Sequence, residues 1–227
     1  MSANAVSASD TTPIRVLLID DHAVVREGYR HLLGNCERIG CVVEADSGAA
    51  GYRRFLKGDM DVVVLDLSMP GVGGLEVLRR MKRQQRAVPV LIFSMHEEAV
   101  IVERALAAGA NGYLSKRSGA AALIDAVLRV AAGERVIEVE LSPPTAPRGR
   151  RTRTLPSRLR QLSDREFEIF RQLAEGRSVA QIAQQLSLSC GTVANYNTAI
   201  RDKLGVGNAA ELARLAIAAG VVRLAAA

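Results

Sequence analysis

The chain has 227 residues, 48% of them apolar and 24% charged, with a formal charge of +6 and no tryptophan. Such a length suits two domains, each burying its own core, and no apolar run reaches the ~20 residues that a membrane-spanning helix needs. The charge is uneven: residues 1–140 hold 17 basic and 18 acidic side chains, residues 141–227 hold 13 and 6, and six of those 13 are arginines between 148 and 160.

The opening MSANAVSASDTTP has neither a basic start nor an apolar stretch, so residues 1–12 are expected as a disordered tail and not as a secretion signal. From 13 to 133 short apolar runs alternate with amphipathic ones. Strands are predicted at 15–20 (RVLLID), 41–46 (CVVEAD), 61–67 (DVVVLDL), 89–94 (PVLIFS) and 112–115 (GYLS), with helices near 24–33, 48–57, 74–84, 97–108 and 118–132. The strands are rich in Val, Ile and Leu without alternation, as expected when both faces of a sheet are covered. Five such repeats predict an α/β domain with a doubly wound, five-stranded parallel sheet. Residues 134–158, with four prolines and a run of arginines, read as an extended linker.

From 159 to 227 a small all-α domain of four short helices is predicted. Ser163-x-x-Glu166, Ser178-x-x-Gln181 and Asn208-x-x-Glu211 have capping-box form or a close variant, and Ser189 can cap the third helix. Gly176, Gly205 and Gly220 stand where helices would stop. Cys36, Cys41 and Cys190 make an odd count without metal spacing, which points to a reducing cytoplasm. His22, His31 and His96 are too scattered to suggest zinc.

Asp20 and Asp21 end the first strand, Asp66 the third, Ser94 the fourth, and Lys116 follows the fifth. All fall at the carboxyl edge of a parallel sheet, where sites in such folds gather. Three carboxylates there repel one another unless a cation joins them, and oxygen donors suit Mg²⁺. A carboxylate beside such an ion and an ammonium is equipped to take a phosphoryl group, with Ser94 placed to hydrogen-bond it. Phosphohydrolases of the haloacid dehalogenase type use a similar set, but need a second aspartate two residues after the nucleophile for turnover. That position is Ser68, so a lasting acyl phosphate is expected and not an enzyme.

These residues carry a resemblance. Asp20–Asp21, DLSMPGVGG around Asp66, Ser94, and GYLSK with Tyr113 and Lys116 make residues 13–132 similar to a response-regulator receiver domain. The resemblance implies a flavodoxin-like fold and Asp66 as phosphoacceptor. Mg²⁺ would be held by Asp21, Asp66 and the Ser68 carbonyl, with Asp20 acting mainly through water. Ser94 and Tyr113 would be the switch pair, the hydroxyl drawn to the phosphate and the ring turning inward, while Lys116 also meets the phosphate. The usual lysine–proline step is here Lys116–Arg117.

Residues 178–206 have helix-turn-helix spacing, with Val179, Ile182, Ala183, Leu186, Leu188, Val193, Ile200 and Leu204 as an inward set. LSDREFEIFRQLAEGRS, IAQQLSLSCGTV and IRDKLGV resemble the LuxR-type DNA-binding domain of FixJ/NarL response regulators over about 160–218. This implies that the helix at 191–204 enters the major groove of double-stranded DNA, with Thr192, Ala194, Asn195, Tyr196, Asn197, Thr198, Arg201 and Lys203 as contacts. The sequence departs from the pattern at Ala194, where lysine is common, at Tyr196, where histidine is common, and in lacking an arginine after the LGV turn. The electrostatic share must come from elsewhere: either Arg148, Arg150, Arg151, Arg153, Arg158 and Arg160 act as a flexible arm on phosphates, or the arginine-rich linker simply stays solvated. Cys190, in the turn, reads as a small filler.

Together these readings describe a cytoplasmic, phosphorylation-controlled transcriptional regulator served by a sensor histidine kinase. A homodimer is expected when it is phosphorylated or on DNA, with exposed apolar residues around Leu212–Leu215 as its surface. RNA polymerase is a further expected partner, and no membrane attachment is expected. The alternative is an adaptor whose helical domain binds protein, favoured by the depleted basic face.

Overall fold

The computed structural model describes residues 12–139 and 158–222. The tail over 1–11 and Arg148, Arg150, Arg151 and Arg153 lie outside the described residues. The first domain runs β1 (Ile14–Ile19), α1 (Ala23–Gly34), β2 (Ile39–Ala45), α2 (Gly48–Phe55), β3 (Val62–Leu65), α3 (Gly74–Gln84), β4 (Val90–Ser94), α4 (Ala99–Ala107), β5 (Gly112–Ser115), α5 (Ala120–Ala131) and β6 (Val136–Glu138). All strands pair in parallel, in the order β2-β1-β3-β4-β5-β6. The unbroken apolar runs of β3 and β4 are buried at every residue, because helices cover both faces of the sheet. The chain winds one way from β1 to β2 and the other from β1 to β3, so the crevice of the sheet opens at the ends of β1 and β3.

The doubly wound class is as read from the sequence, but the sheet has six strands and not five. Val136, Ile137 and Glu138 pair with Gly112, Tyr113 and Leu114, and Val136 is fully buried. The first domain therefore reaches into residues assigned above to the linker. ERVIEVE looks like a charged connector because its three-residue strand is an edge strand, with only Val136 turned inward.

Gly74, the first residue of α3, shows how tightly the loop after Asp66 is packed. A Cβ there would lie 2.3 Å from the Asp66 carbonyl oxygen and 2.6 Å from Leu67 Cα, backbone atoms that cannot rotate away. Gly74→Ala is expected to cost about 3 kcal/mol in urea unfolding, and an unchanged midpoint would contradict this packing.

The second domain has a 3₁₀ turn at Leu159–Gln161, then α6 (Asp164–Ala174), α7 (Val179–Leu186), α8 (Cys190–Leu204) and α9 (Ala209–Ala218). Both serine capping boxes form in full, Ser163 with Glu166 and Ser178 with Gln181, while Ser189 and Asn208 cap α8 and α9. The turn between α7 and α8 passes through Ser187, which is left-handed at φ 52°. The predicted inward set lies in the core or packs against it. Leu212 lies there too, 2% exposed, and Leu215 packs on the core half-buried, so these leucines are not a free dimer face. With its 3.6-residue period, α9 turns Leu212 and Ala216 inward and leaves Arg214 outside. Among the described residues, no helix is long and apolar enough to cross a membrane.

Candidate functional site

Asp20 and Asp66 leave the adjacent ends of β1 and β3, and their side chains are 1% and 2% exposed. Lys116, just past β5, puts Nζ 2.6 Å from Asp20 Oδ2 and 2.7 Å from Asp66 Oδ2. Two buried carboxylates thus share one ammonium. Their other oxygens accept from the backbone, Asp20 Oδ1 from the His22 N–H at 2.9 Å and Asp66 Oδ1 from the Ser68 N–H at 3.1 Å. Burial alone would lower the Lys116 pKa, but Asp66 and Asp20 together raise it on balance.

Asp21 completes the cluster. Its Oδ1 is buried and makes no hydrogen bond, although His22 Nδ1 lies 3.1 Å away. Burial raises the Asp21 pKa; His22 acts against this, and the neighbouring charges of Asp66 and Asp20 add to it. Donor atoms of Asp20, Asp21, His22 and Asp66 lie within 4.8 Å of one another. Three carboxylates against one ammonium leave negative charge to neutralise, and the unpartnered buried oxygen of Asp21 is a donor of the kind that Mg²⁺ takes. The cluster is compatible with Mg²⁺. The His22 ring, 60% exposed, was not read from the sequence as part of it. Ser68 is exposed, and its Oγ lies 3.0 Å from His96 Nε2.

Ser94, the last residue of β4, is fully buried, and its Oγ accepts from the His96 N–H at 3.3 Å. Tyr113 is also fully buried, and its hydroxyl donates to the His96 carbonyl at 2.7 Å. Burial pushes its phenol well above the ordinary range. The ring is therefore already inward, whereas the resemblance implied that it turns inward on phosphorylation. The His96 carbonyl supplies the acceptor that makes this seat available without a phosphoryl group.

On α8, Ala194, Asn195 and Thr198 are exposed, while Thr192, Tyr196, Asn197 and Arg201 are half-buried. Thr192 Oγ1 pairs with Ser189 Oγ at 2.8 Å, and Thr198 Oγ1 donates to the Ala194 carbonyl at 3.2 Å. Lys203 is engaged elsewhere: its Nζ lies 2.7 and 2.8 Å from the Glu166 oxygens, because α6 runs beside α8. Arg158 likewise donates to the Leu204 carbonyl at 3.1 Å, at the C-terminal end of α8. Among the described cations of this domain, Arg160, Arg201 and Arg214 make no hydrogen bond or ion pair with another described residue.

Lys203→Gln is accordingly expected to lower the melting temperature of the helical domain and leave the salt slope of DNA binding unchanged. A slope reduced by about one unit would return Lys203 to the phosphate contacts. Lys203 and the Ser163 cap hold the Glu166 pKa below its ordinary value despite burial. Their stabilisation is present above the unfolded glutamate pKa and is lost as the pH falls through the lower folded one.

The two domains meet through reciprocal arginines. Arg104 of α4, 6% exposed, donates to the carbonyls of Leu159 at 3.1 Å and Leu162 at 2.8 Å and to Asp164 Oδ1 at 3.0 Å, with its guanidinium 4.3 Å from the Phe167 ring centre. Arg79 of α3 holds the other Asp164 oxygen at 2.7 Å. In return Arg165 donates to the Gly71 carbonyl at 2.7 Å and to Leu186 at the end of α7 at 3.0 Å. A cavity of about 400 Å³ remains beside these contacts, lined by Val72, Leu75, His96, Phe167 and Tyr196 among others. Tyr196, on the helix expected to read DNA, thus faces the first domain. None of these partnerships had a local signal in the sequence.

Comparisons with known proteins agree with this architecture. Residues 16–128 match the response regulator receiver domain, and residues 160–216 match the bacterial regulatory proteins of the luxR family. The chain is 41% identical to the transcriptional activator protein ExaE of Pseudomonas putida, over 93% of this chain and 99% of that one. It is 35% identical to the response regulator UvrY of Escherichia coli (strain K12), over 92% and 95%. Among solved structures it is similar to RcsB from Salmonella enterica serovar Typhimurium bound to promoter rprA in the presence of the phosphomimetic BeF3⁻. That likeness has a TM-score of 0.57 at 25% identity, over 90% of this chain and 98% of that one. The chain belongs to the two-component response regulators of the FixJ/NarL family, transcriptional regulators in which a receiver domain is joined to a LuxR-type DNA-binding domain.

Proposed function

We propose that Asp66 is the phosphoacceptor of this regulator, charged by a sensor histidine kinase, and that phosphorylation governs access of α8 to double-stranded DNA. The observation that carries the reading is the buried Asp66 carboxylate, held with Asp20 on one Lys116 ammonium beside the unpartnered oxygen of Asp21. Asp20, Asp21 and Asp66, with the Ser68 carbonyl, would hold Mg²⁺. When bound, the ion supplies positive charge to the phosphoryl oxygens. Asp66 provides the nucleophilic oxygen, Lys116 offers its protons to the incoming group, and Ser94 donates its hydroxyl.

Tyr196 lines a cavity that receiver residues also line, which supports a resting state in which the DNA-reading helix is partly covered. Phosphorylation would shift the balance toward a separated form that dimerises on DNA. Asn195 and Asn197 suit adenine edges. With Lys203 and Arg158 tied down, phosphate contacts would fall to Arg160, Arg201 and the linker arginines. RNA polymerase is a further partner of the DNA-bound form. The unpaired cysteines agree with a cytoplasmic protein. The scarcity of unengaged cations also keeps the second reading, a phosphorylation-controlled adaptor that binds protein.

In vitro selection of random duplex DNA separates these readings, using the full chain phosphorylated with acetyl phosphate and Mg²⁺ beside an Asp66→Asn control. The expected result is a motif with two-fold symmetry enriched only by the phosphorylatable protein. The same motif from both proteins would keep DNA binding and reject the switch. Salt-sensitive binding with no motif would favour the adaptor.

A further inference from the structure

The loop between β4 and α4 holds a carboxylate that no part of the proposed chemistry uses. Glu97 lies three residues after Ser94, and its side chain is only 9% exposed. Its Oε1 accepts from Ser115 Oγ at 2.6 Å, and its Oε2 from Arg117 Nη1 at 2.9 Å. Ser115 Oγ also accepts from the Arg117 N–H at 3.2 Å. Ser115 and Arg117 are the two neighbours of Lys116, so one buried carboxylate grips the chain on both sides of the ammonium that Asp66 depends on.

The same two segments are joined twice more, by the Lys116 N–H donating to the Ser94 carbonyl at 3.0 Å and by the Tyr113 hydroxyl donating to the His96 carbonyl at 2.7 Å. A buried carboxylate is costly unless its partners are well placed, and here both are. The arrangement also gives a use to the departure from the lysine–proline step. Proline at 117 could supply neither the N–H for Ser115 nor the guanidinium for Glu97.

We propose that Glu97 is a positioning residue for phosphoryl transfer to Asp66: by holding Ser115 and Arg117 it aims the Lys116 ammonium, and by tying the 94–98 loop it keeps Ser94 and Tyr113 seated before the phosphoryl group arrives. The inference rests on the reading of Asp66 as acceptor. With acetyl phosphate as donor, an Asp66 oxygen bonds to phosphorus as the bond from phosphorus to the acetyl oxygen breaks. Acetate leaves with the electron pair, and no proton has to move. Lys116 meets the phosphoryl oxygens during this exchange, so its aim bears on the rate.

The test uses the full chain with Mg²⁺ and a fixed concentration of acetyl phosphate, following phosphorylation of Asp66 by mass spectrometry and Mg²⁺ affinity by titration calorimetry. Glu97→Gln keeps an acceptor for Ser115 and removes the charge facing Arg117. Arg117→Pro installs the more usual residue, and Arg117→Lys keeps the ion pair. Glu97→Gln and Arg117→Pro are expected to slow phosphorylation about tenfold with Mg²⁺ affinity within about twofold, and Arg117→Lys to recover most of the rate. Wild-type rates in both slow variants would overturn the proposal. So would a Mg²⁺ affinity that falls in step with the rate, which would mark a collapse of the whole site. Parent protein that takes phosphate elsewhere, or at the same rate as Asp66→Asn, would overturn the acceptor reading and this inference with it.

Discussion

Replacing Lys116 by methionine is expected to lower stability at pH 7 by about 3 kcal/mol in the absence of Mg²⁺. The Lys116 side chain is 8% exposed, and the two carboxylates it joins are nearly inaccessible to water. Methionine has about the right volume, so packing is little changed; what goes is the one cation between Asp20 and Asp66. Two ionised groups then repel in a place where water cannot screen them. In the parent, the raised pKa of Lys116 means that its stabilisation is complete below the unfolded lysine pKa and is lost as the pH rises through the higher folded one.

Mg²⁺ should restore part of the loss, since an ion bound only to the folded state stabilises it by mass action. Urea unfolding at pH 7, with and without Mg²⁺, reads both the loss and its recovery. A variant as stable as the parent, or one that Mg²⁺ leaves untouched, would refute the picture of an acidic cluster held together by cations.

The second large effect is expected at the domain interface. Arg104 is the receiver's plug in the helical domain, meeting two carbonyls, one carboxylate and one aromatic face while almost wholly buried. Arg104→Ala removes all four contacts and leaves Asp164 with Arg79 alone. Breaking such a buried pair costs about 3 kcal/mol, which is roughly a 100-fold change in the ratio of closed to open forms. Tyr196 faces the receiver in the closed form, so DNA affinity should rise by up to that factor without phosphorylation. The comparison is between Asp66→Asn and the double variant Asp66→Asn, Arg104→Ala, by fluorescence anisotropy on a selected duplex. Equal affinities would mean that closure does not limit DNA binding. Denaturation of the double variant should still show the helical domain folded, because its core residues Phe170, Ile182, Val193 and Ile200 are untouched.

Much of this was legible in the chain itself. Strand and helix positions in the receiver follow from hydrophobic period, and the capping boxes of α6 and α7 from residues three apart; both signals are local. Asp20, Asp21, Asp66 and Lys116 could be placed together from sequence because a parallel sheet gathers all its strand ends at one edge. β6 escaped because a three-residue edge strand has too short a pattern to stand out among charges. The partners of Lys203 and Arg158 escaped because an isolated cation shows its charge and not its partner. Glu166 lies 37 residues from Lys203, and the Leu204 carbonyl 46 from Arg158.

The sequence by itself determined the two folds, their order and the acidic edge, since these rest on periodicity and on strand ends that any parallel sheet brings together. Only the tertiary structure decided which charges are already engaged, that Tyr113 is seated inward, that Glu97 holds both neighbours of Lys116, and that Arg104 closes one domain on the other. Those depend on contacts between distant segments, which the fold alone brings together, and no local pattern of residues carries that information.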